Sequence, residues 1–266
     1  MAHSWLVFAF LYAPIVVLAV FSFNENDNVG IWTGFSFRWY AEMFQNSAVM
    51  NALLNSIIVA TVSTTVATVL GTATAVALER FRFRGQRAFD GLVYMPVIIP
   101  DVTMAVMLLL FFSSAFRIVA GGGLNLSFGL GTISLSHIAF SISFVAIVVR
   151  ARLGQLDPSL EEAAADLYAT PWRAFRKVTL PLIAPAVAGG ALLALTISLD
   201  DVVVTSFVAG PGATTLPVYV FGLVRRGVTP LINAVSVVML TASMVLIAVS
   251  LVFQRDRGGK TVQPVE

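Results

Sequence analysis

Long apolar runs separated by short polar connections make up most of the chain. A membrane-spanning helix needs about 20 mostly apolar residues, and six segments of the sequence satisfy this requirement. The six predicted spans are residues 5–23, 52–78, 89–115, 131–149, 182–205 and 234–253. This pattern predicts an all-α integral membrane protein.

The third predicted span contains the segment MPVIIPDV, in which Pro96 and Pro100 each remove a backbone N–H donor. We expect these prolines to kink the helix. Broken helices at membrane depth are tolerated only where protein or a water-filled cavity satisfies the freed carbonyl groups. The break is expected near the middle of the span, directly before Asp101.

Composition agrees with membrane residence and argues against a nucleic-acid partner. Of the 266 residues, 58% are hydrophobic and only 11% are charged, whereas soluble domains carry about 25% charged residues. The net charge of +2 comes from basic residues in short loops between apolar runs, which is a feature of membrane topology rather than of phosphate binding. Because the chain has no cysteine, disulfides and thiolate metal sites are excluded.

The distribution of Lys and Arg predicts the orientation in the membrane. The 79–88 loop holds four of the 16 basic residues, the 150–181 loop holds five, and the C-terminal tail holds three. Cytoplasmic loops carry the excess of basic residues in membrane proteins. We therefore expect these three segments, and both termini, to be cytoplasmic.

The 150–181 loop is polar and predicts a first short helix. Pro158 is suited to a first helical turn, and the spacing from Ser159 to Glu162 is that of a capping box. We expect this helix to run from about Pro158 to Leu167. Its acidic residues lie early in the helix, where they suit the helix dipole.

A second short helix is predicted to start at Thr170 and Pro171, and Leu180 and Pro181 mark the passage into the fifth span. Helices this short are marginal alone in water, where stability needs about 12–15 residues. The two short helices, which together form an elbow, must therefore be stabilised by contacts with another part of the protein or with a partner. Either the elbow lies on its own membrane domain as an amphipathic linker, or it docks into a cytoplasmic partner.

The segment EEAAADLYATPWRAFRKVTLPL resembles the EAA loop of ABC-importer permeases, whose pattern is Glu-Ala-Ala, three residues, Gly, nine residues and Ile-x-Leu-Pro. The resemblance implies that this loop is a coupling element that docks into a cleft of a separate ATP-binding subunit. The residues that it assigns to coupling with the ATPase subunit are Glu161, Glu162, Ala163, Ala164, Asp166, Leu167, Tyr168, Leu180 and Pro181.

Tyr168 stands where the family pattern has Gly. Gly suits the left-handed conformation that closes a helix, and this conformation costs a residue with a side chain roughly 1–2 kcal/mol. Either the corner is built differently in this chain, or Tyr168 accepts the strain. Its ring could also add an aromatic contact to the partner.

Further segments narrow the resemblance to the permease subunits of putrescine/spermidine-type importers. These segments are FLYAPIVVLAVFSFN, GFSFRWY, RFRFRG, MPVIIPDV and SLDDVVVTSFVAGPGATTLPVYVFGLVRRGVTPLINA. The resemblance covers nearly the whole chain and implies six transmembrane helices of the ABC-importer permease (type I) kind. It also implies one permease domain over 1–266 that includes the coupling loop. Permeases for opines and other small nitrogenous solutes share parts of these segments, so such a solute, or an amino-acid derivative, stays an alternative substrate.

The resemblance implies a transport subunit of a bacterial inner membrane, without an ATPase site or cofactor of its own. Its implied protein partners are an ATP-binding cassette ATPase dimer, which uses ATP and Mg²⁺, a different sister permease and an extracytoplasmic substrate-binding protein. The lipid bilayer surrounds the assembly. ATP-driven alternating access would then move the substrate inward.

Carboxylates within or near the predicted spans agree with a cationic substrate. Asp101, Asp200 and Asp201 lie where a charge costs about 2.5–3.5 kcal/mol on insertion scales. They are candidates for the lining of the cation's path, with Tyr94 and Tyr219 adding cation–π contacts. Alternatively, these aspartates pair with Arg, cap broken helices or contact the sister subunit.

Two rival functions are considered. An ion-coupled secondary transporter or channel would use the same aspartates as ion sites, but such carriers usually show paired repeats, and the sequence has no visible duplicated half. A membrane enzyme is poorly supported, since the chain has two His, no Cys and no carboxylates at metal-ligand spacing. His137, alone in the fourth span, is predicted to hydrogen-bond a neighbouring helix.

Overall fold

A computed structural model describes residues 2–123, 126–227 and 229–258, and these residues are almost wholly helical. They form twelve α-helices and one π-helical turn, so the predicted all-α class is confirmed. The helices are α1 Ala2–Phe21, α2 Arg38–Gln45, α3 Ser47–Arg80, α4 Gln86–Ile98, α5 Asp101–Ala120, α6 Leu130–Leu153, α7 Ser159–Asp166, α8 Pro171–Ala174, α9 Leu180–Asp200, α10 Val203–Val208, α11 Leu216–Arg226 and α12 Pro230–Gly258. The π-helical turn, Phe175–Thr179, joins α8 to α9.

Five helical segments of the described chain are long and apolar enough to cross a membrane. They are His3–Phe21, Ser47–Arg80, Asp101–Ala120, Leu130–Leu153 and Pro171–Asp200. Each overlaps one of the first five predicted spans. The sixth predicted span, 234–253, lies within α12, where most side chains after Val245 are outside the described part of the chain.

The third predicted span is two helices rather than one. α4 ends at Ile98 and α5 begins at Asp101, with extended backbone at Ile99 and Pro100 between them. The predicted break is therefore confirmed at Pro100, whereas α4 continues through Pro96. Asp101 follows the break directly, as expected, and occupies the first turn of α5.

The chain divides into two compact units, and the first comprises 1–55 with 214–266. Its core lies where α2 packs against α12. Trp39 and Met43, four residues apart on one face of α2, are buried together with Ala234 and Val235 of α12. The indole N–H of Trp39 donates to the backbone carbonyl of Asn24 at 2.8 Å, which ties the segment after the C-terminal end of α1 to this core.

The second unit, 56–213, is built around α6. This helix packs along α9, and its Val145 and Val149 are completely buried. Gly190 of α9 permits the close approach, because a Cβ there would lie 3.3 Å from the Cα of Val145. The second unit contains both the elbow and the aspartates at the broken helices.

Candidate functional site

The polar loop folds into an elbow of two short helices, and we use this name for residues 159–179. α7 covers Ser159–Asp166, within one residue of the predicted bounds at each end, and none of its side chains is buried. α8 begins at Pro171, and the side chain of Thr170 accepts the N–H of Arg173, which confirms the predicted second start.

The predicted capping box at the start of α7 is wrong. Ser159 is already helical, and the carboxylate of Asp157 accepts its N–H at 2.9 Å. Hydrogen bonds from Ser159 hold the pKa of Asp157 below its ordinary value, because they favour the charged carboxylate. Glu161 and Glu162 lie in the first turn as expected, where the helix dipole favours negative charge.

Tyr168 closes α7 in the left-handed conformation, with φ of +57°. The N–H of Tyr168 donates to the carbonyl of Ala165 at 2.9 Å, and the N–H of Ala169 donates to that of Ala164 at 3.0 Å. This pair of bonds is the Schellman motif, whose left-handed residue is usually Gly. Among the described residues, Tyr168 is the only non-glycine with a positive φ. Of the two alternatives considered from the sequence, the structure shows the left-handed residue at Tyr168 rather than a differently built corner.

The corner presents large apolar side chains to the surroundings. Leu167 is 82% exposed, Tyr168 is 94% exposed and Trp172 is 67% exposed. Trp172 also stacks on Phe175 with ring centroids 5.7 Å apart. Grouped apolar side chains rimmed by polar residues are typical of a protein interaction surface.

The remaining residues assigned to coupling fall into two groups. Glu162, Ala163 and Asp166 are exposed on α7, and Pro181 is exposed at the start of α9. Ala164 and Leu180 are half-buried. The structure therefore places most of the predicted coupling residues where another protein could reach them.

Glu161 differs from its neighbour Glu162 because its carboxylate contacts its own chain. The hydroxyl of Thr179 donates to Oε1 of Glu161 at 2.6 Å, and Nη2 of Arg80 lies 3.2 Å from the same oxygen. Arg80 is the last residue of α3. Sequence reasoning missed both partners, since Arg80 counted only as a topology signal and Thr179 carried no signal at all.

A second ionic cluster at the same end of α3 was also missed. Nε of Arg150, in α6, donates to Oε2 of Glu79 at 3.1 Å, and Nη1 of Arg150 donates to Oδ1 of Asp90, in α4. This cluster connects three helices of the second unit. Its charges were visible in the sequence, but their pairing depends on which helices are neighbours.

A buried polar cluster holds the break between α9 and α10. The two ring nitrogens of His137 lie 2.7 Å from the hydroxyl of Ser198 and 3.0 Å from that of Thr205. The prediction that His137 hydrogen-bonds a neighbouring helix is confirmed. Oδ2 of Asp201 lies 3.3 Å from Nε2 of His137.

Asp201 also accepts hydrogen bonds from the first turn of α10. Its carboxylate accepts the N–H of Val204 at 3.2 Å, and both the N–H and the hydroxyl of Thr205 at 2.7 Å. The side chain is therefore engaged in capping a broken helix, which is one of the alternative roles considered from the sequence.

The other predicted pathway residues have different surroundings. Asp101 begins α5 and Asp200 ends α9; both are exposed, and neither has an ion-pair partner among the described residues. Tyr94, in α4, is exposed in the second unit. Tyr219, in α11, packs against the core of the first unit. Within the described ranges, no group of three or more His, Cys, Asp or Glu side chains could hold a metal ion.

Comparison with known proteins places this geometry in a family. A family model described as "Binding-protein-dependent transport system inner membrane component" matches residues 67–255. The putrescine transport system permease protein PotI of Escherichia coli (strain K12) is 47% identical over 236 residues, covering 88% of this chain and 83% of that protein. The spermidine/putrescine transport system permease protein PotC of Haemophilus influenzae is 41% identical over 255 residues, covering 96% and 95%.

The fold has a solved counterpart. The structure of a bacterial ABC transporter involved in the import of the acidic polysaccharide alginate matches with a TM-score of 0.76 at 20% identity, covering 96% of each chain. The fold is thus that of an ABC-importer permease, and the protein is a multi-pass inner membrane protein. With a family match over 67–255 and relatives of this similarity, the chain belongs to the inner membrane components of binding-protein-dependent transport systems.

Proposed function

We propose that this chain is the permease subunit of an ATP-driven importer for a polyamine-like cation such as putrescine or spermidine. The observation that carries the transport role is the exposed elbow, a two-helix element with an apolar corner in a family of transport permeases. The names of the similar PotI and PotC proteins support the substrate class.

The elbow is the proposed docking element for a cytoplasmic ATPase dimer. Its exposed face offers Glu162 and Ala163 on α7, followed by the apolar side chains of Leu167 and Tyr168. Small residues permit close approach of a partner, and apolar side chains supply most of the free energy of association. A carboxylate in the first turn would pair with a basic residue of the partner.

The remaining partners follow from the same proposal. A sister permease completes the membrane part, and an extracytoplasmic protein delivers the substrate. ATP and Mg²⁺ are used by the ATPase subunits, and this chain carries neither a cofactor nor an ATPase site. Both termini, the elbow and the basic end of α3 lie on the cytoplasmic side.

A passage for a polyamine needs fixed negative charge, because each ammonium group is costly to bring into a low-dielectric space without a counter-charge. Asp101 and Asp200 are the proposed counter-charges, since their carboxylates are exposed and lack ion-pair partners in the described chain. Tyr94, in the same unit, offers a ring face for a cation–π contact, whereas Tyr219 packs against the core of the other unit. Asp201 contributes to the same region by holding the helix break beside Asp200.

The mechanism is alternating access. ATP binding closes the ATPase dimer, the elbow moves with the ATPase surface, and the spans open toward the outside to receive the substrate. Hydrolysis returns the assembly to the inward-open state. In this scheme the elbow is where the movement of the ATPase enters the membrane domain.

The test is uptake by the complete importer in proteoliposomes. ATP is supplied on the side of the membrane that carries the ATPase subunits, and labelled putrescine or spermidine on the side that carries the binding protein. We expect ATP-dependent accumulation of one or both polyamines and competition between them. Uptake that needs an ion gradient but no ATP would support the secondary-transporter alternative. ATP-driven uptake of an opine or an amino-acid derivative, without polyamine uptake, would overturn the substrate assignment alone.

A further inference from the structure

The carboxylate of Glu161 is turned away from the exposed face of α7. Its Oε1 accepts the hydroxyl of Thr179 at 2.6 Å and lies 3.2 Å from Nη2 of Arg80. Both ionic side chains are largely withdrawn from the surroundings, with about a fifth of Arg80 and a third of Glu161 exposed. Glu162, the next residue, is exposed and makes no such contact within the described residues. Two adjacent carboxylates of the elbow therefore have different tasks.

A cavity of about 900 Å³ lies between α3 and the elbow. Its lining includes Thr68, Thr72 and Val76 on α3, and Ala165 and Trp172 on the elbow. The hydroxyls of Thr68 and Thr72 are buried and have no hydrogen-bond partner in the described chain. Side chains that face each other across such a space lack direct contacts there, so packing passes a displacement of the elbow to this stretch of α3 less effectively than a filled interface would.

Arg80 and Glu161 bridge the two walls of this cavity, and both contribute to its lining. The residue before Arg80 continues the connection, because Glu79 binds Arg150 of α6, which also binds Asp90 of α4. The last turn of α3 therefore holds the elbow through Arg80. Through Glu79 it is also connected to α6 and, by way of Arg150, to α4.

We propose that Glu161, Arg80 and Thr179 form a clasp that makes the elbow and the cytoplasmic end of α3 move as one body. The three are positioning residues, and Glu161 moves from the coupling set assigned by the sequence resemblance to this group, because its carboxylate is engaged by Thr179 and Arg80 of its own chain. The proposal rests on the docking role of the elbow proposed above. Without the clasp, the ATPase would still move the elbow, but less of that movement would reach the spans.

The experiment uses the complete importer in proteoliposomes and four variants, Glu161→Gln, Arg80→Gln, the double variant of these two and Thr179→Val. Arg82→Gln is the matched control, because Arg82 is an exposed arginine two residues further along the same basic loop. The measurement is the number of putrescine molecules imported per ATP hydrolysed, together with basal ATP hydrolysis and the yield of assembled complex.

We expect each single variant to lower the import ratio about two- to fivefold, which is the factor by which losing an exposed ion pair changes an equilibrium constant, here that between the clasped and released elbow. The double variant should lose no more than either single variant, because the second change removes a partner that is already gone. Basal ATP hydrolysis and assembly should stay at the parental level, and the control should import normally. A Thr179→Val variant should lower the ratio in the same direction.

Other results would overturn the clasp. An unchanged import ratio in both single variants, or losses that multiply in the double variant, would mean that the contact does not transmit movement. Loss of assembly in parallel with the import ratio would reduce Glu161 to a folding role. If Glu162→Arg leaves transport intact, the docking proposal fails instead, and this outcome is distinguishable from failure of the clasp alone.

Discussion

Replacing Tyr168 by glycine should stabilise the corner of the elbow. Tyr168 has a φ of +57° and a side chain that is 94% exposed, so its ring gains little from contacts within the chain. Glycine adopts the left-handed conformation without a steric cost, whereas other residues lose roughly 1 kcal/mol there. The closed corner should therefore become more stable by about 1 kcal/mol, which corresponds to a factor of about five in an equilibrium constant.

Amide hydrogen exchange of the assembled or detergent-solubilised protein measures this change directly. The N–H of Ala169 bonds to the carbonyl of Ala164 across the corner, so it exchanges only when the corner opens. We expect this amide to exchange about fivefold more slowly in Tyr168→Gly, in line with the relief of left-handed strain. Ala165→Gly is the matched control, since glycine within α7 should cost about 1 kcal/mol and speed exchange.

Unchanged or faster exchange at Ala169 in Tyr168→Gly would refute the argument from strain. Binding to the ATPase subunit separates a second effect of the same substitution. If the exposed ring of Tyr168 contacts the partner, the glycine variant will bind more weakly although its corner is more stable. A variant that is both more stable and equally well bound would assign the ring no part in docking.

Four further predictions follow from the contacts. Glu162→Arg should uncouple or prevent assembly while membrane insertion stays normal; parental transport would refute docking through this residue. Asp101→Asn and Asp200→Asn should each lower polyamine uptake with basal ATP hydrolysis intact, and parental uptake in both would make these carboxylates structural. Thr205→Val should lower the thermal midpoint, since a buried hydroxyl with two polar partners is lost at a cost of about 1–3 kcal/mol. The pKa of Asp157 is depressed in the folded state, so its stabilisation of α7 is present above about pH 4 and is lost as the pH falls through the folded value. Amide hydrogen exchange in the first turn of α7 should therefore speed up below that pH, relative to the same amides in Asp157→Asn.

The long helices were predictable because the bilayer itself requires a run of some 20 apolar residues for each span. Such a run is visible in the sequence without any knowledge of which helices pack together. The short helices α2, α10 and α11 were not predicted, since they have no such length requirement. For α2 a signal existed, because Trp39 and Met43 are spaced for one helical face. For α10 the helix start is capped by Asp201, which bonds locally to Val204 and Thr205 but is also held by His137 from a distant helix.

The corner of the elbow was predictable and the role of Glu161 was not, for the same physical reason. Closing α7 at Tyr168 is a local event set by φ and two short-range hydrogen bonds. The distinction between Glu161 and Glu162 depends on Arg80, which is remote in sequence and adjacent only after folding. Likewise, the proline located the break at Pro100, whereas hydropathy ran continuously through it and predicted one span where the structure has two helices.

The π-helical turn Phe175–Thr179 has a consequence for the direction in which the elbow points. In this turn the N–H of Leu180 bonds to the carbonyl of Phe175, five residues back, so the helix contains one residue more than an α-helical turn would. That residue acts as a rotational spacer, because each α-helical residue turns the chain by about 100° around the axis. Deleting one residue of the π-helical turn would rotate the apolar corner of the elbow by about 100° around the axis of α9. The direction in which the elbow projects from α9 is therefore set by a single inserted residue.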